Sequence, residues 1–147
     1  ATTVVGAINE IFAGFKLQSQ ISGDDTYYLQ SSNAETLILQ GGTGIWVYGD
    51  DIVPANVDME YFTLMNAEWY GVFLGGTATG NITNCNFINN GYGVQLYDFA
   101  ELNIKNSNFV NNTIYGLAIV STTPVCNVNY CNAWGNGEAP WMENCPG

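Results

Sequence analysis

One motif recurs in this chain at a nearly constant interval, and it restricts the fold more than any total does. Tyr70-Gly71-Val72-Phe73-Leu74 returns as Tyr92-Gly93-Val94-Gln95-Leu96 and as Tyr115-Gly116-Leu117-Ala118-Ile119, in steps of 22 and 23 residues. Gly44-Ile45-Trp46-Val47 is an earlier relative, 27 residues before Gly71 in its own glycine. A second series keeps phase: Asn56-Val57, Asn81-Ile82, Asn103-Ile104 and Asn127-Val128. Five positions after each branched residue stand Phe62, Phe87, Phe109 and finally Ala133. Asn90, Asn112 and Asn136 follow the last three of these. Such a period marks stacked units that bury a continuous core only together.

The units are β in character. Each holds two short runs with alternating apolar positions, rich in Val, Ile, Phe and Tyr and punctuated by Gly, Asn and Asp. A leucine-rich repeat would need Leu at short fixed intervals and a helix per unit, and a propeller blade needs about 40 residues. A unit with two or three strands at this period fits one coil of a parallel β-helix. Helical spacing fits only Ile8 to Leu17, which reads either as a short N-terminal cap helix or as a first strand. The expected organisation is one domain, 1–147: a cap or first turn over 1–33, about five coils over 34–137, and a tail over 138–147.

Two segments carry a family resemblance. Asn-Cys-Asn-Phe-Ile-Asn-Asn-Gly (84–91) and Asn-Ser-Asn-Phe-Val-Asn-Asn-Thr (106–113) each precede Tyr-Gly or its equivalent and alternating apolars. They resemble the repeats of right-handed parallel β-helices, the units of the pectate-lyase-like superfold. The resemblance covers about residues 33–137 and implies an all-β solenoid. It specifies no activity, because that superfold carries lyases, hydrolases, adhesins and structural proteins.

In that fold, equivalent residues stack about 4.8 Å apart. The series then predict columns: Phe62, Phe87 and Phe109 as an internal aromatic stack, and Val57, Ile82, Ile104 and Val128 as an aliphatic one. Asn56, Asn81, Asn103 and Asn127 would form an amide ladder at a bend, where Asn tolerates a left-handed backbone.

Composition narrows the partners. Thirteen acidic residues face two basic ones, Lys16 and Lys105, with no Arg and no His, for a net charge of −11. Nucleic acid and anionic lipid are poor partners for such a surface. No run of apolar residues is long enough for a spanning helix. The start at Ala1 and the four cysteines suit a mature protein of an oxidising, extracellular compartment. Cys85 and Cys131 occupy the same slot two coils apart, about 9–10 Å by strand spacing, and a disulfide needs Cα atoms within about 7 Å. Cys145 is left to pair with Cys126 or Cys131; Cys85 is a buried thiol or an intermolecular bridge.

A catalytic site is hard to assemble. Without His, neither Ser-His-Asp nor Cys-His chemistry is available. Without Arg, and with Lys105 away from any acidic motif, the proton abstraction that the lyase resemblance implies has no obvious base. Asp24-Asp25 and Asp50-Asp51 lie 26 residues apart, about one coil. They read as a solvated acidic edge or as a calcium site. Asp58 and Glu60 alternate on one strand, with Asp98 and Glu101 near the following bend, and a glycosidase pair is the remaining reading. Trp46, Trp69, Tyr70, Tyr92, Tyr97 and Tyr115 offer either core and edge packing or a sugar-stacking face. Asn81-Ile82-Thr83 and Asn111-Asn112-Thr113 match the N-glycosylation pattern.

The expectation is therefore a secreted or cell-surface structural protein, not an enzyme, with no cofactor unless calcium, assembling with itself as a filament, sheath or surface layer. Secreted β-arch proteins of methanogen sheaths are similar in composition and coil logic. A carbohydrate-binding or adhesive module is the alternative, with a polysaccharide as partner. A lyase or glycosidase comes last.

Overall fold

The computed structural model describes residues 42–50, 52 and 55–141, and before them the backbone of strands at 21–22, 26–30 and 36–38. Three sheets run the length of the molecule, and every strand pair in them is parallel. The first has six strands: β1 (Ile21–Ser22), β4 (Ile45–Gly49), β7 (Tyr70–Gly76), β10 (Tyr92–Leu96), β13 (Tyr115–Ile119) and β16 (Ala139–Trp141). The second has β2 (Thr26–Gln30), β5 (Asn56–Glu60), β8 (Thr79–Thr83), β11 (Glu101–Lys105) and β14 (Val125–Asn129). The third has β3 (Thr36–Ile38), β6 (Thr63–Met65), β9 (Asn86–Ile88), β12 (Asn108–Val110) and β15 (Asn132–Trp134). Each coil contributes one strand to each sheet in turn, the topology of a β-solenoid. No helix occurs among the described residues; the segment from Ile8 to Leu17 lies outside them.

Alternation decides what faces inward. In β11, Leu102 and Ile104 are buried while Glu101, Asn103 and Lys105 are exposed. One apolar core fills the lumen, built from columns such as Val47, Leu74, Leu96 and Ile119. Phe87 and Phe109 stack within it at 5.3 Å between ring centres. A stacked pair adds about 0.5–1.5 kcal/mol beyond its burial. The Tyr-Gly motif has a steric cause. A Cβ on Gly71 would come within 2.5 Å of the Gly93 carbonyl oxygen, and one on Gly93 within 2.4 Å of that of Gly116. Only glycine lets consecutive coils approach so closely there.

The observed register corrects two of the expected columns. Asn56 lies opposite Thr79, and Asp58 opposite Asn81. The ladder is therefore Asp58, Asn81, Asn103 and Asn127, without Asn56. The aliphatic column beside it likewise starts at Met59, while Val57 lies opposite Gly80. Leu64, not Phe62, sits over Phe87. Phe62 remains in the core one step away, its carbonyl accepting the amide N–H of Asn86 at 2.8 Å. The physical reason is the two-residue period of a strand: a slip of two preserves inside and outside, so side-chain pattern cannot detect it.

The left-handed corners also lie elsewhere. Asn81, Asn103 and Asn127 stand mid-strand. Positive φ belongs to two other columns: Tyr61, Asn84, Asn106 and Tyr130 at 49–61°, and Asn66, Asn89, Asn111 and Gly135 at 54–68°. Asn enters this region at low cost, which accounts for much of the repeat's asparagine. At the C-terminal side the solenoid continues past 137: β16 pairs with β13, and Trp141 meets Phe109 edge-on at 5.5 Å.

Candidate functional site

Polar side chains bind the coils to one another. On the outer face Asn81 donates its amide to the Asp58 carboxylate at 2.7 Å, Asn103 to Asn81 at 3.1 Å, and Asn127 to Asn103 at 2.9 Å. A parallel ladder runs from Thr63 through Asn86 and Asn108 to Asn132, at 2.8–3.2 Å. A third ladder, in the core, joins Asn90, Asn112 and Asn136. The Asn112 amide oxygen accepts from the backbone and side chain of Asn90, and its nitrogen donates to the Phe87 carbonyl and to Asn136. The first two of these asparagines are fully buried. Burial of an amide is tolerable only when its bonds are made, and here each makes several. The periodic Asn90, Asn112 and Asn136 were visible in the sequence; their place inside the core was not.

Two shallow recesses lie on the described surface. One, of about 270 Å³, is lined by Asp58, Met59, Glu60, Asn81 and Thr83. Asp58 and Glu60 do face the same side, but the Asp58 carboxylate also accepts from Asn56 and Asn81. The other, of about 200 Å³, lies at the corner after the six-stranded sheet, between Tyr48, Asp50, Thr77, Asp98 and Phe99. There the Asp50 carboxylate accepts the amide of Ile52 at 2.8 Å, and the Thr77 and Thr123 hydroxyls donate to the Asp50 and Asp98 carbonyls. Asp24, Asp25 and Asp51, the other members of the expected calcium corner, lie outside the described residues. Among the described residues no three His, Cys, Asp or Glu side chains gather as a metal-ligand set.

The aromatic column runs along the axis. Tyr70 and Tyr92 are 5.3 Å apart, Tyr92 and Tyr115 6.1 Å, with ring planes within 35° of each other. Trp46 stacks on Phe73 at 4.1 Å. Rings that stack upon one another spend their faces within the protein and turn edges outward, so this column packs rather than offering a row of open faces. Trp69 and Tyr97 stand exposed outside it. A hydrogen bond with Glu138 raises the Tyr115 phenol above its ordinary range.

Cys85, Ser107 and Cys131 share one column, as their spacing indicates: Cys85 and Ser107 carbonyls accept from Asn108 and Asn132. Cys85 and Cys131 are free thiols. Burial pushes Cys85 up to about 11 and raises Cys131 as well. Such thiols are poor nucleophiles at neutral pH. Cys126 is buried, and Cys145 lies outside the described residues. Of the two N-glycosylation patterns, Asn81 is tied into a ladder, whereas Asn111 is exposed at a corner.

A family model described as a right handed beta helix region matches residues 18–144. No curated protein and no solved structure matches the chain.

Proposed function

Because the chain belongs to the family of right-handed β-helix regions, we propose that it is a non-catalytic structural module of the cell surface or extracellular space that associates with further copies of itself. The observation that carries this reading is the use of the polar side chains. The Asp58, Asn81, Asn103 and Asn127 ladder occupies outward strand positions, where a β-helix enzyme would aim groups at a substrate, and it is spent on coil-to-coil bonds. The absence of His and Arg from the sequence points the same way. Sedimentation velocity and negative-stain microscopy across a concentration series test it. Ordered oligomers or filaments are expected. A strictly monomeric protein, or turnover of a polysaccharide, overturns it.

A second reading, a carbohydrate-binding module, is favoured by the corner recess. Tyr48 and Phe99 offer partly open rings there beside Asp50 and Asp98, a composition suited to a neutral sugar. Retention on cellulose, lost in Phe99→Ala, would favour it over the structural reading.

A further inference from the structure

The last described coil differs from those beneath it at positions the register makes equivalent. Val125 stands where the inner coils carry Glu101 and Thr79. Tyr130 stands in the left-handed corner that Asn84 and Asn106 occupy below it. Trp134 extends the column of Ile88 and Val110. These three side chains are 51%, 80% and 71% exposed. The coil thus places large apolar groups in water at two positions where its neighbours are polar. Natural edges carry charge or proline to avoid pairing; β14 and β15 carry neither among their eight residues.

The hydrogen-bond ladders are also directional. Asn127 and Asn132 donate their amide nitrogens back to Asn103 and Asn108. Their side-chain oxygens are left at the rim, with no partner among the described residues. In the sheet orders β14 and β15 each stand at one end, and β2 and β3 at the other. Among the described strands, both ends of these two sheets have an open edge.

We propose that β14 and β15 form a self-recognition edge that pairs, parallel and in register, with β2 and β3 of a second copy. The proposal rests on the self-association reading and names its surface. The occupant follows from the interface already repeated inside the chain. Continuing the observed columns places Val128 against the partner's Leu29 and Ala133 against the partner's Leu37, apolar upon apolar as in every inner coil. The contact is head-to-tail, so it leaves a fresh edge after each addition and builds a filament instead of a closed dimer.

The test replaces terminal residues by their inner-coil counterparts, which keeps charge constant. In Val125→Thr/Tyr130→Asn, association measured by sedimentation velocity is expected to weaken at least about tenfold. The melting temperature should hold or rise, because Asn suits a positive φ better than Tyr. Trp134→Gln should weaken association likewise, and Trp69→Lys, on the side of the solenoid, should not. Hydrogen exchange on the assembled wild type should show new protection in 125–134 together with 26–30 and 36–38. Assembly that survives these substitutions, or protection confined elsewhere, overturns this edge while leaving self-association standing. A wild type that stays monomeric at every concentration overturns both.

Discussion

Two columns of asparagine run along this molecule, and the same side chain has a different task in each. Asn90, Asn112 and Asn136 run through the core at a turn, where their amides satisfy backbone groups that no sheet reaches. Asn81, Asn103 and Asn127 lie on the outer face, where water competes for every bond. A hydrogen bond contributes about 1 kcal/mol net, but a buried group deprived of its partner costs about 1–3 kcal/mol. The inner column is therefore structural in the strict sense that the fold depends on it. The outer one tunes spacing and register.

The comparison breaks most readily at Asn112. Asn112→Ala strips partners from the Asn90 amide, the Phe87 carbonyl and Asn136 together. A loss of about 3–5 kcal/mol is expected from urea unfolding; a loss below about 1 kcal/mol would equate the two columns.

Burial at Cys85 sharpens the same contrast through pH. Its thiol is raised from 9.0 to about 11, first by desolvation. The folded state thus holds its proton where the unfolded state releases it. This contribution is complete below pH 9 and is lost as pH rises towards 11. The slope is up to about 1.4 kcal/mol per pH unit. Cys85→Ala should flatten that part of the stability curve, at the cost of a small cavity. Thiol alkylation at pH 8 should reach half-buried Cys131 well before Cys85.

Asn103→Ala, in the outer column, should cost about 1 kcal/mol or less by thermal unfolding. Asp58→Asn comes last: an amide oxygen can accept the Asn81 donor as the carboxylate does, so a change of about 0.5 kcal/mol or less is expected. A large loss there would mean that the carboxylate itself matters, and would redirect attention to the recess it shares with Glu60.

Much of the architecture was legible in the chain. Tyr-Gly at three intervals and Phe87 with Phe109 announced parallel coils, and their pairing is as the spacing implies. The coil containing Asn56 and Phe62 was misaligned by two residues, because both registers put the same faces inward. The corner asparagines were legible as a repeat, but not as the positive-φ positions, since Asn serves equally in ladders, in corners and in the core. The recess at Tyr48 and Phe99 drew no notice in sequence. Its walls come from separate coils, and nothing local joins them.

The amino-acid sequence by itself determined the period, the alternation and the absence of His and Arg, and these specify a stacked parallel solenoid with little room for acid–base chemistry. Those properties depend on the order of side chains along one strand and on their recurrence. Tertiary structure alone decided which residues share a column, which asparagines are sealed from water, and which apolar groups end up exposed on the last coil. These depend on the exact length of every turn between strands, and a change of two residues there leaves no trace in the pattern while moving every partner.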